Sequence, residues 1–105
     1  MNKNDEIENV LASLWEKNLP TLRERLDLID LTASLAASGT LPEDTRLEAY
    51  SVAHKLTGSL GMFGYQHGTD IARKIEHILK APTPTQLTTL TTLAKDLRTS
   101  LAAGL

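Results

Sequence analysis

Apolar positions recur at helical spacing along nearly the whole chain, and strand-type alternation is not sustained in any window. Ile7, Val10, Leu11 and Leu14 fall at i, i+3, i+4 and i+7. Trp15 and then Pro20 follow, and because proline disfavours helical geometry at the preceding Leu19, a short first helix is expected to end or kink there. A second stripe of Leu22, Leu26, Ile29, Ala33 and Ala36 runs to Gly39, a residue suited to stopping a helix. Thr40 and Glu43 have capping-box spacing around Pro42, which predicts the next helix start. That helix has Ala49, Ala53, Leu56 and Leu60 as its core face and the glycines at 61 and 64 as its end. The next carries Ile71, Ile75, Ile78 and Leu79 and stops before Pro82. Thr83, Pro84 and Gln86 repeat the capping logic, and Leu87, Leu90, Ala94, Leu97 and Leu101 give a regular seam for the last helix.

Four amphipathic helices joined by short connections predict an all-α fold, an antiparallel up-and-down four-helix bundle with an additional short N-terminal helix as a lid. A length of 105 residues suits one domain, 1–105, with the bundle core at about 20–104. Net charge is only −2 and the basic residues are scattered, so the footprint of a nucleic-acid binder is missing. The absence of cysteine excludes disulfides and thiolate metal sites and fits a reducing compartment. No apolar run is long enough to span a bilayer, and the polar start Met1-Asn2-Lys3-Asn4-Asp5-Glu6 lacks the hydrophobic region of a signal peptide. A soluble, cytoplasmic, monomeric protein with no membrane partner is expected.

One stretch breaks the pattern: Ala53-His54-Lys55-Leu56-Thr57-Gly58-Ser59-Leu60-Gly61-Met62-Phe63-Gly64-Tyr65. Gly58 lies one turn after His54, where a helical glycine costs about 1 kcal/mol relative to alanine. It clears the space over the imidazole for an incoming macromolecule. Helical arithmetic turns Ala53, Leu56 and Leu60 inward and leaves His54 on a mixed flank with Leu47, Tyr50, Ser51, Gly58 and Gly61. The plainer alternative is a surface histidine beside a glycine chosen for close helix packing.

His54-Lys55-Leu56-Thr57-Gly58-Ser59, followed by Gly61, Phe63 and Gly64, resembles the phosphoacceptor helix of histidine phosphotransfer (HPt) domains. The resemblance implies a helical bundle that carries a phosphoryl group on one histidine between receiver-domain aspartates. In that mapping His54 is the acceptor and Gly58 the clearance glycine. Glu76, twenty-two positions after the histidine, takes the place of a hydrogen-bonding Gln or Glu, and Arg73 that of a side chain facing the site. The family often has lysine three residues after the histidine; here that residue is Thr57. Related domains at the start of chemotaxis-type kinases receive the group from ATP through a separate catalytic domain.

The chemistry is consistent with these positions. An imidazole that attacks phosphorus must be neutral with its lone pair outward, and a carboxylate accepting from the other N–H fixes that tautomer. Glu76 suits this task, and Arg73, at i, i+3 to it, or Lys55 can offer a cation to a phosphoryl oxygen. For Arg73, Glu76 and Lys55 the plain alternative is a solvated helix surface. For Ser59, Met62, Phe63 and Tyr65 it is packing at a helix end.

Tyr50, Ser51, Gly61 and Met62 are the expected docking residues. No cofactor or metal is expected on this chain; Mg²⁺ is expected on the partner receiver. The protein is thus read as a phosphorelay intermediate without kinase activity of its own, partnered by receivers and possibly by a histidine kinase catalytic domain. The competing readings are the chemotaxis-kinase phosphoacceptor domain, a non-catalytic interaction bundle, a sensor-kinase dimerisation domain, and a metal site on His54, His67 and His77. The last two fit poorly: no acidic residue and proline follow His54 at the required places, and none of the histidines is paired at ligand spacing.

Overall fold

The computed structural model describes residues 3–105, so Met1 and Asn2, the first of the polar residues read above, lie outside it. All its elements are helices: α1 Lys3–Ala37, α2 Glu43–Met62, α3 Gln66–Lys80, a single turn α4 Pro84–Leu87, and α5 Leu90–Leu101. Contacts close a ring in which α1 packs on α2, α2 on α3, α3 on α5 and α5 on α1. Leu22, Leu26, Leu56, Leu60, Ile75, Leu79, Leu97 and Leu101 fill its centre and are almost wholly buried. Burying such a side chain contributes about 2 kcal/mol, so the stripes read from the sequence supply most of the driving force.

Two helix ends follow from glycine. At Gly39 (φ 73°) Thr40 N–H reaches Leu35 O at 3.0 Å and Gly39 N–H reaches Ala36 O at 3.1 Å. At Gly64 (φ 83°) Tyr65 N–H reaches Leu60 O at 3.0 Å and Gly64 N–H reaches Gly61 O at 3.2 Å. Both are Schellman closures, which need a left-handed residue and therefore favour glycine. Gly61 is inside α2 and does not end it.

Three expectations are corrected. First, no separate N-terminal helix forms: α1 runs 35 residues with Pro20 inside it. Proline removes one backbone donor, but this segment is exposed, so water can satisfy the freed carbonyl. The helix is also anchored on both sides of the proline. Leu22 and Leu26 enter the core, while Trp15 Nε1 donates to Gly104 O at 2.9 Å. The indole stacks on Tyr65 at 4.8 Å and meets the Phe63 ring edge-on at 5.1 Å. Second, the last helix is split. Thr88 and Thr89 donate their hydroxyls to Thr85 O and Gln86 O, each at 2.7 Å, and this local bonding competes with helix continuation, leaving a turn before α5. Third, Thr40 does not cap α2. Its hydroxyl is hydrogen-bonded to that of Ser38 at 2.6 Å, and the cap position is Pro42. At Thr83 the expected cap does form, to Gln86 N–H at 3.3 Å.

Two arginines fasten helix to helix. Arg98 of α5 donates to Asp30 at 2.6 Å and Asp27 at 2.8 Å on α1. Arg46 of α2 bonds Leu79 O at the end of α3, and its hydrogen bond to Glu43 holds that carboxyl below its ordinary pKa.

Because Pro20 is exposed and costs about 3 kcal/mol in a helix interior, less about 1 kcal/mol for stiffening the unfolded chain, Pro20→Ala is expected to stabilise the fold by about 2 kcal/mol. A denaturant midpoint unchanged or lowered in that variant would mean that the helix is not strained there.

Candidate functional site

α2 and α3 make the most extensive contact in the molecule, and the site lies along their outer seam. On α2, Ala49, Ala53, Leu56 and Leu60 are buried, which leaves His54 facing solvent with its side chain 74% exposed. On α3, Ile71, Ala72, Ile75, Ile78 and Leu79 are buried, and Glu76 stands at the edge of that face with its side chain 14% exposed. Thr69 of α3 lies across the seam from Gly61, where an added Cβ would make only an ordinary van der Waals contact with its hydroxyl at 3.8 Å. His54 Nδ1 and Glu76 Oε1 are then 2.5 Å apart.

This contact settles how the imidazole is presented. With Nδ1 engaged by a carboxylate, a neutral ring carries its proton there and directs the Nε2 lone pair outward. A carboxylate also stabilises the ring when Nε2 gains a substituent and the imidazole becomes cationic. The imidazole and the carboxylate therefore come from adjacent helices, and only the imidazole is widely accessible.

Gly58 has the geometry of a clearance. A Cβ built there meets nothing within 4 Å and the backbone is helical, so packing inside this chain does not call for glycine. The close-packing alternative thus fails at this residue. Lys55 is exposed one position beyond His54 on α2. Arg73, also on α3, is turned to Asp70 at 3.4 Å, an exposed pair worth a few tenths of a kcal/mol. Thr57 takes no part, since its hydroxyl donates to Ala53 O at 3.0 Å.

Of the other docking expectations, Ser51 is exposed, Tyr50 is half-buried against the core, and Met62 is 60% exposed. Phe63 and Tyr65 are packed on Trp15, in line with their plain reading, whereas Met62 is not packed away. A cavity of about 320 Å³ beside Met62 is lined by Leu14, Lys17, Asn18, Ser59 and Phe63. Its α1 residues were not legible as neighbours of the site, because only the continuity of α1 through Pro20 brings them there. Among the described residues no group of three or more His, Cys, Asp or Glu is placed to hold a metal ion. His54, His67 and His77 do not converge.

A family model described as Hpt domain matches residues 13–102. The chain belongs to the Hpt domain family. Hpt domains carry phosphoryl groups on histidine in the phosphorelays of two-component systems, where they work with receiver domains, and they lack kinase activity of their own. No match was found among curated proteins or among solved structures. No helix among the described residues of this Hpt domain is long and apolar enough to cross a membrane.

The hydrogen bond to Glu76 predicts that neutral His54 is mainly the Nδ1–H tautomer. In Glu76→Ala that preference should be lost, as read from the ring ¹⁵N shifts. The same tautomer ratio in both proteins would show that Glu76 does not orient the ring.

Proposed function

We propose that His54 accepts a phosphoryl group from a receiver-domain aspartyl phosphate and passes it to the aspartate of another receiver. The observation that carries this reading is the pairing of an outward Nε2 on His54 with the inward hydrogen bond to Glu76. In the forward step the Nε2 lone pair attacks phosphorus in line as the aspartyl P–O bond breaks. The aspartate leaves as carboxylate, and the phosphorylated ring, still protonated at Nδ1, is held by Glu76. Reversal of the same step delivers the group to the next receiver. Lys55, exposed beside His54, and Arg73, once it turns from Asp70, supply positive charge to the phosphoryl oxygens in the role of the lysine absent at Thr57.

Mg²⁺ is expected on the partner receiver, where it would offset charge on the transferring group; this chain contributes no metal ligand to the proposal. On this reading the chain is a phosphotransfer intermediate that works in the cytoplasm, and kinase activity resides elsewhere, as in other Hpt domains. Tyr50, Ser51, Gly58, Gly61 and Met62 form the surface on which the receiver docks. Short connections between the long helices support an antiparallel up-and-down course, which keeps α2 and α3 side by side along their length.

Incubation with phosphorylated receivers should place acid-labile label on the domain, and His54→Gln should abolish it. Gly58→Glu should slow transfer about 100-fold with the fold intact, the scale expected when reacting atoms are held slightly out of place. Label retained in His54→Gln refutes the assignment of the acceptor. Labelling by ATP with an isolated kinase catalytic domain, but never by a receiver, would replace the relay with the chemotaxis-kinase reading.

A further inference from the structure

α1 is far longer than its neighbours need. At about 1.5 Å per residue its 35 residues span almost the whole 54 Å of the molecule's long axis, whereas the 20 residues of α2 reach just over half of it. Ahead of Trp15 the helix still borders the end of the bundle, with Leu11 and Ala12 beside Phe63 and Tyr65, but Ile7, Val10, Leu11 and Leu14 are 36–58% exposed on one face. The family match begins at residue 13, so most of this stripe lies ahead of the shared fold. Leu14 and Met62 border the same cavity, which extends the apolar surface onto the end of α2.

We propose that this face pairs two copies of the chain as an antiparallel coiled coil. Antiparallel register sets Ile7 against Leu14 of the second copy and Val10 against Leu11, so the four residues are self-complementary about a two-fold axis. The flanking charges select the direction. Glu6 and Lys17 lie on the same edge of the stripe and make no ion pair among the described residues. Antiparallel pairing brings each Glu6 to the Lys17 of the other copy, twice over. Parallel pairing opposes glutamate to glutamate and lysine to lysine. The antiparallel register also brings the second copy's Ile7 to the cavity beside Met62.

Ile7, Val10, Leu11 and Leu14, 36–58% exposed, make a patch smaller than a standard specific interface. The association is therefore weak and concentration-dependent.

The test is sedimentation equilibrium of the purified chain from about 10 µM to about 1 mM, the range in which an interface of this size assembles. Expected is a mass rising towards twice that of the monomer, and a constant monomer mass in Ile7→Glu and in Leu14→Glu with unchanged far-UV circular dichroism. Lys17→Glu should weaken pairing about tenfold, and adding Glu6→Lys should restore it. Direction is read separately by single cysteines in this cysteine-free chain: Val10→Cys should cross-link between copies and Lys3→Cys should not. A monomer throughout, association indifferent to Leu14→Glu, failure of the charge swap to restore pairing, or Lys3→Cys cross-linking as readily as Val10→Cys would each overturn the proposal. None of these readouts involves His54, so they are independent of its proposed phosphorylation.

Discussion

The close seam between α2 and α3 is the constraint on which the proposed chemistry depends. A histidine on one helix can be oriented by a carboxylate on another only if the helices are held near enough for a direct hydrogen bond. The buried faces of both helices, Ala49, Ala53, Leu56 and Leu60 on α2 and Ile71, Ala72, Ile75 and Leu79 on α3, hold them together and fix their rotation. His54 and Glu76 then meet at 2.5 Å with the ring exposed and the carboxylate largely covered. The asymmetry matters: a covered base orients the ring without competing for the group that arrives from outside.

Gly58 separates the demands of folding from those of partner access. An interior helical glycine lowers stability, and here nothing within the chain requires one, since a Cβ would stand in open space. A cost retained without internal benefit points outward, to a surface that must come close to the imidazole. The same exposed side of the molecule includes Ser51, Lys55 and Met62, so the reactive atom sits within a low, accessible surface and not in a pocket.

Much of this was legible in the sequence because helical spacing is local. The stripes marked the core positions and Gly39 and Gly64 two helix ends, whereas the pairing of His54 with Glu76 came from the resemblance to HPt domains and not from spacing. What was not legible depends on partners distant in sequence or on competition between nearby hydrogen bonds. Pro20 reads as a break by local rules, yet Trp15 is held by Gly104, eighty-nine residues away, and α1 continues through the proline. Leu87 and Leu90 fit one apolar seam of the last helix, but the hydroxyls of Thr88 and Thr89 between them bond back to the preceding turn, where the helix is split. Thr40 has capping spacing, but Ser38 takes its hydroxyl.

The proposed role of His54 makes one atom-level claim: the phosphoryl group is carried on Nε2, because Nδ1 is engaged by Glu76. ³¹P–¹⁵N correlation on domain phosphorylated by a receiver and labelled at histidine reads the linkage directly. The account predicts coupling from phosphorus to Nε2 of His54. Coupling to Nδ1, or to any other histidine, would contradict it.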